Sequence, residues 1–169
     1  MPAGDKNKKT PGLFKGSRLL QVCRLLNEQS AHYLVVGGHA CNLHGLIRAT
    51  KDVDLLIPKN IANTERVLEG LKGLAWGIAG ELDAEEVASK PFTIIGDTPR
   101  VDLLTVANKV KYEQASSSSL EAKIEGVKVP YVDLKTLLLT KQTDRLQDRA
   151  DVERLQQLGG RRKKELLSR

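Results

Sequence analysis

Residues 33–58, YLVVGGHACNLHGLIRATKDVDLLIP, decide how the chain is read. An apolar run over 32–36, closed by Gly37-Gly38, predicts a short buried strand. Residues 39–46 leave room for about two helical turns, ending at Gly45 or just after it. A second strand is predicted over 52–57, stopped by Pro58. Side chains alternate along a strand, so Asp52 and Asp54 project from one face while Val53, Leu55 and Ile57 take the other. Two like charges on so apolar a segment repel each other, and a divalent cation is the simplest compensation. A strand end exposing two solvated aspartates fits the same residues, and Asp-x-Asp alone does not choose between the two.

Around this stretch the periodicities continue. Upstream, 13–29 reads as an amphipathic helix, with Leu19, Val22, Cys23 and Leu26 on one face. Downstream, helical spacing returns over 60–72, followed by a loop around Trp76 and Gly80 and a turn of helix near 83–88. Residues 91–95 and 100–106 read as strands joined by Gly96-Asp97-Thr98-Pro99. Ser116 to Ser119 form a low-complexity loop. Residues 120–124 and 127–132 alternate about Glu125-Gly126 as a second hairpin. Asp133 is placed to cap a helix running to about residue 142, and a last helix is read over 147–158 before Gly159-Gly160. The order of elements predicts a mixed α/β domain.

The 169 residues, 40% of them apolar, suffice for one core, read here as a single domain over 13–158. A polar, basic head (1–12) and a basic tail (159–169) flank it, the head read as disordered. The net charge of +6 suits attraction to the phosphates of a nucleotide or of RNA; a pair of solvated tails is the simpler account of it. Aromatic residues are scattered singly, so no stacking platform for single-stranded nucleic acid is visible. No apolar run is long enough for a membrane span, and no membrane partner is expected. Cys23 and Cys41 lack CxxC spacing, which argues against a zinc ribbon or disulfide framework and favours a cytoplasmic setting.

The chemistry gathers around the glycine pair and the acids. Free N–H groups where Gly37-Gly38 ends a strand and opens a helix favour an anionic phosphate, although a tight strand-to-helix turn alone explains two glycines. Asp102 sits in the strand-like Arg100-Val101-Asp102-Leu103-Leu104; if that strand lies beside the first, three carboxylates converge as ligands for two magnesium ions. Asp97 is a rival third acid, but it falls in a turn where aspartate is ordinary. His39 and His44 lie i, i+5, poor geometry for zinc with Cys41, although His39 could reach a phosphate from the first helical turn. Arg48 and Thr50 precede the acidic strand, where they position a nucleotide or, for Arg48, form a surface salt bridge. Lys141 and Arg145 are read as i, i+4 neighbours on one helical face, able to neutralise phosphate or to pair with Asp144 and Asp148.

Together these pieces resemble the nucleotidyltransferase superfamily with its polymerase-β-like fold: Gly37-Gly38, thirteen residues, Asp52-Val53-Asp54, then Asp102. The likeness is nearer to small prokaryotic members related to abortive-infection and toxin–antitoxin nucleotidyltransferases. It rests on His39-Ala40, His44-Gly45 and Arg48-Ala49-Thr50, with Lys141, Arg145, Asp148 and Asp151-Val152 near the end. The resemblance implies a mixed sheet flanked by helices with C-terminal helices. It implies magnesium (or manganese) held by Asp52, Asp54 and Asp102, with Asp102 activating an acceptor hydroxyl. Gly37 and Gly38 would contact the phosphates of a nucleoside triphosphate, with His39, Arg48, Thr50, Lys141 and Arg145 around it. The implied activity moves a nucleoside monophosphate from the triphosphate to an RNA, a partner protein or a small molecule. A turnover-deficient binding module, an antitoxin or regulatory subunit, is the alternative, and a plain RNA binder working through its basic ends is a third reading.

Overall fold

The computed structural model describes residues 17–168. The head over 1–12 and the start of the helix read from residue 13 lie outside the described residues, as does Arg169. Helix α1 (Arg18–Glu28) is capped by Ser17, whose Oγ accepts from the Leu20 N–H at 3.2 Å. Its buried face is Leu19, Leu20, Val22, Cys23 and Leu26. Strand β1 (Leu34–Val36), helix α2 (Gly37–Leu43) and strand β2 (Val53–Leu56) follow the expected order. Helix α3 (Ile61–Leu71) begins at Asn60, which accepts from the Asn63 N–H at 2.8 Å. Asn63 in turn accepts from the His32 N–H and donates to its carbonyl, which ties the start of α3 to the entrance of β1.

A 3-10 turn (Ile78–Glu81) and helix α4 (Ala84–Ser89) lead into β3 (Phe92–Ile95) and β4 (Val101–Leu104). The strand expected to run to residue 106 breaks after Leu104. A small hairpin, β5 (Val106–Ala107) and β6 (Val110–Lys111), follows it, turning through Asn108 and Lys109 at positive φ. Helix α5 (Tyr112–Ser116) takes in the first residue of the serine run. Strands β7 (Leu120–Ile124) and β8 (Val127–Tyr131) form the second hairpin, with Glu125 and Gly126 both at positive φ, as a type I′ turn requires. Asp133 caps α6 (Leu134–Thr140) through the Thr136 N–H at 2.8 Å.

The last helix differs from its sequence reading. Helix α7 (Leu146–Leu167) runs straight through Gly159-Gly160, so most of the basic tail is helical. Gly159 lies against Leu134, leaving a Cβ there only 3.1 Å from Leu134 Cδ2, and Arg162 donates to the His44 carbonyl at 2.8 Å. Docking at these two points outweighs the roughly 1 kcal/mol by which glycine weakens a helix interior.

Six strands form one mixed sheet in the order β3-β4-β2-β1-β8-β7. Strands β2 and β4 pair in parallel, and antiparallel β1 and β3 flank them. Val35, Val53, Leu55, Val101 and Leu103 are buried in one core with α1 and α3. No helix among the described residues is long and apolar enough to cross a membrane. The architecture is the mixed α/β sheet with flanking and C-terminal helices that the sequence implied.

Candidate functional site

Strand register builds the site. Val36, Asp54, Asp102 and Ile94 stand side by side on β1, β2, β4 and β3, so Asp54 and Asp102 are opposite each other on neighbouring strands. Like charges directly opposite destabilise a sheet, and here they do so half-buried or deeper. Burial first, then the Asp102 charge and its hydrogen bond, then Asp52, push the Asp54 carboxyl up to about 7, against a smaller pull from Lys141. Two residues back along the same strands Asp52 comes beside Arg100, where the Val53 N–H donates to the Arg100 carbonyl at 3.0 Å. Asp52, Asp54, Asp102 and Arg100 thus mark four corners on one face. Arg100 grips Asp102 with a two-pronged contact, Nε to Oδ1 at 2.8 Å and Nη2 to Oδ2 at 3.2 Å, and its Nε lies 3.7 Å from Asp52 Oδ2.

The glycine pair explains how Asp54 fits. Gly37 has φ +66°, and a Cβ there would collide with the Asp54 carboxylate. A Cβ on Gly38 would stand 2.6 Å from Thr50 Oγ1. The space left by the two missing side chains is therefore taken up by the chain's own Asp54 and Thr50, which lie against the strand-to-helix turn.

A cleft of about 740 Å³ opens over this face. It is lined by Gly37, Gly38, Arg48, Thr50, Asp52, Asp54, Asp102, Lys141 and Arg145, so nine of the ten residues singled out in the sequence come together. His39 is the exception. It is buried, neither ring nitrogen has a partner among the described residues, and burial pushes its imidazole down to about 4. His44 is likewise buried, and its Nε2 lies 2.8 Å from the Val132 carbonyl. Asp97 is fully used by the fold: it accepts from the backbone N–H groups of Trp76, Ile78 and Thr98, far from any role as third acid.

Lys141 and Arg145 do not share a helical face. Lys141 closes α6 and Arg145 opens α7, with the connection 141–145 between them. Lys141 is buried, 2.8 Å from Asp151 Oδ2 and 3.5 Å from Asp148 Oδ1. Arg48 reaches the same Asp151 oxygen at 2.6 Å. Burial works against the charged form of Asp151, but Lys141, Gln147 and Arg48 outweigh it and hold its carboxyl below the usual range. Arg48 Nε, also buried, has no acceptor among the described residues. Lys51 and Arg145 line the cleft without an ion pair among the described residues.

Sequence reasoning passed over Arg100 and Lys51 as functional residues, and it noted Asp151 only as part of a pattern. Lys51 had a signal, its place directly before Asp52. Arg100 had one too, since alternation sets it on the same strand face as Asp102, whereas its place beside Asp52 comes only from strand register.

The donor set fits a hard divalent cation: every candidate ligand is a carboxylate oxygen, and the Asp54–Asp102 repulsion is what such an ion relieves. Among the described residues no three acidic, histidine or cysteine side chains already stand as a finished cage. Asp54 and Asp102 meet, while Arg100 joins Asp52 to Asp102. The cleft therefore offers paired acids at its floor, backbone amides of Gly37 and Gly38 at one end, and basic side chains from Arg48, Lys51 and Arg145 around the rim.

No protein-family model matches the chain, and no curated protein matches it. Among solved structures, it is similar to a Thermotoga maritima protein described as a putative nucleotidyltransferase. The TM-score is 0.48 at 13% sequence identity, with 89% of this chain and 91% of that chain covered.

Proposed function

We propose that this protein is a magnesium-dependent nucleotidyltransferase that moves a nucleoside monophosphate from a triphosphate to a hydroxyl acceptor. The observation that carries the reading is the Asp54–Asp102 pair: two carboxylates held opposite each other on parallel strands, with the Gly37 turn packed against one of them. A fold gains nothing from that repulsion by itself, so a positively charged occupant is its natural explanation.

Asp52, Asp54 and Asp102 would hold the cation, which, when bound, neutralises triphosphate charge and acidifies the attacking hydroxyl. The chain's own residues position the reactants. Gly37 and Gly38 border the end of the cleft where phosphate oxygens can meet backbone N–H groups. Arg48, Lys51 and Arg145 line the same space, and Lys51 and Arg145 carry no ion pair among the described residues that a phosphate would have to displace. Phe92 and Leu104, on the far side of Asp102, give the cleft an apolar edge for the acceptor. In the reaction the acceptor oxygen bonds to the α-phosphorus and its proton passes to the Asp102 carboxylate. The bond from the α-phosphorus to the bridging oxygen breaks, and pyrophosphate leaves.

The test is label transfer. Purified protein, Mg²⁺ and each α-³²P nucleoside triphosphate are incubated with cell extract, beside the Asp52→Asn/Asp54→Asn variant. The reading expects label that requires the aspartates, and its removal by ribonuclease or by protease identifies the acceptor as RNA or protein. Label retained by the variant rejects the assignment; a folded protein that binds the triphosphate and transfers nothing is the binding module instead.

A further inference from the structure

The charge count of the four-cornered cluster is three carboxylates and one guanidinium, and that guanidinium is placed where a cation would go. Arg100 engages both oxygens of Asp102, the same two that a metal ion would need, and stands 3.7 Å from Asp52. We propose that Arg100 is the site's resident counter-ion, a tethered cation that holds Asp102 and Asp52 together until a divalent ion displaces it.

Three observations support displacement rather than a permanent strut. First, the Arg100 side chain is 43% exposed, so its guanidinium can swing into water without creating a buried unpaired charge. Second, Arg100 lies just outside β4, which begins at Val101, so its side chain moves without breaking a ladder pair. Third, Arg100 leaves Asp54 poorly served: no ion pair to Asp54 exists among the described residues, although Asp54 stands directly opposite Asp102 on the neighbouring strand. The donors of a guanidinium lie in one plane, whereas an ion can draw ligands from several directions. Without the latch, three carboxylates on one face would repel through every cation-free interval. With it, the cluster tolerates those intervals, but an entering ion has to compete with an attached rival.

The inference rests on the cation reading of the preceding subsection and predicts something that reading does not. Removing a ligand weakens binding; removing Arg100 strengthens it. In a Mn²⁺ titration of the whole protein without nucleotide, followed by electron paramagnetic resonance, Arg100→Gln binds about tenfold tighter than wild type. That is the scale of one half-exposed, charge-assisted hydrogen bond that the ion no longer has to displace. Arg100→Lys, which keeps the charge but loses the fork, falls between them. Asp102→Asn binds more weakly and so locates the ion. In wild type, the Arg100 Nε–H resonance shifts toward free arginine on Mg²⁺ addition, a readout that needs no variant.

Unchanged or weaker Mn²⁺ binding by both Arg100 variants, with wild type binding normally, overturns the latch and leaves the cation reading standing. No Mn²⁺ bound by wild type or by either Arg100 variant overturns both. If Arg100→Gln unfolds, as urea titration would show, the Arg100→Lys affinity and the Nε–H shift decide. An Nε–H signal that ignores saturating Mg²⁺ rejects displacement.

Discussion

Replacing Asp54 with asparagine should make the protein more stable while removing its function, and the gain should depend on pH. In the folded chain the Asp54 carboxyl is pushed up to about 7, first by burial and then by Asp102 and Asp52. Unfolded, it returns to about 3.9. As pH rises from 4 to 7 the unfolded chain gives up this proton before the folded one does, so wild type loses stability across that window and levels off above it. A rise from about 3.9 to about 7 corresponds to a ceiling near 4 kcal/mol, and the open side of the cleft spreads the expected figure over about 2–4 kcal/mol. The amide of the Asp54→Asn variant never carries the charge and stays close in shape to the protonated acid. The two proteins should therefore match near pH 4, with the variant ahead by about 2–4 kcal/mol at pH 8. The assay is urea unfolding at pH 4, 6 and 8 in a chelator, followed by far-ultraviolet circular dichroism. That signal suits a chain whose single tryptophan, Trp76, is 73% exposed and so a poor fluorescence probe. A variant less stable than wild type at pH 8, or a difference that ignores pH, refutes the account of the acid pair.

Other consequences follow from the same geometry. Asp151→Asn strands buried Lys141 and half-buried Arg48 without their shared partner, and urea unfolding should register a loss of about 3 kcal/mol. Gly37→Ala forces a left-handed residue to carry a Cβ aimed at the Asp54 carboxylate; it should cost about 1–3 kcal/mol and weaken Mn²⁺ binding together, as paired unfolding and metal titrations would show. Arg145→Ala, on an exposed side chain, should leave the urea midpoint unchanged but weaken triphosphate binding several-fold by calorimetry. His39, held down at about 4 by burial, lets the unfolded chain take up a proton first as pH falls below about 6.5, costing roughly 2 kcal/mol by pH 5. His39→Gln should lose that acid-side slope, and an unaltered slope would contradict the placement of the imidazole.

The residues of 33–58 carried most of the legible information. Alternation of Asp52, Val53, Asp54 and Leu55 showed which side of β2 faces the core. The cap at Asp133 was readable because its side chain bonds locally to a backbone N–H three residues on; Asn60 caps α3 in the same way, although only the helical spacing after it was read. Elements set by distant contacts were not readable. Helix α7 passes Gly159-Gly160 because Leu134 and His44 hold it, and neither is near it in sequence. A break between residues 142 and 147 was read, yet Lys141 and Arg145 were still set on one helical face; Arg145 caps α7 without any side-chain bond and so left no local mark that it opens a new helix. Arg100 was read only as the first residue of a strand, and its closeness to Asp52 comes from the parallel pairing of β2 and β4, which are far apart along the chain. The glycine pair does sit at the strand-to-helix turn that the sequence placed there, yet its room is filled by Asp54 and Thr50, a packing fact that no turn signal carries.

The central claim is that Asp54 and Asp102 make a cation-dependent triphosphate site. The most direct measurement is calorimetric binding of a non-hydrolysable α,β-methylene nucleoside triphosphate, with and without Mn²⁺, to wild type and to Asp54→Asn/Asp102→Asn. The account predicts binding to wild type at least about tenfold tighter with the ion, and no such gain in the double variant. Equal affinity with and without Mn²⁺, or an ion-dependent gain that survives loss of both acids, would contradict it.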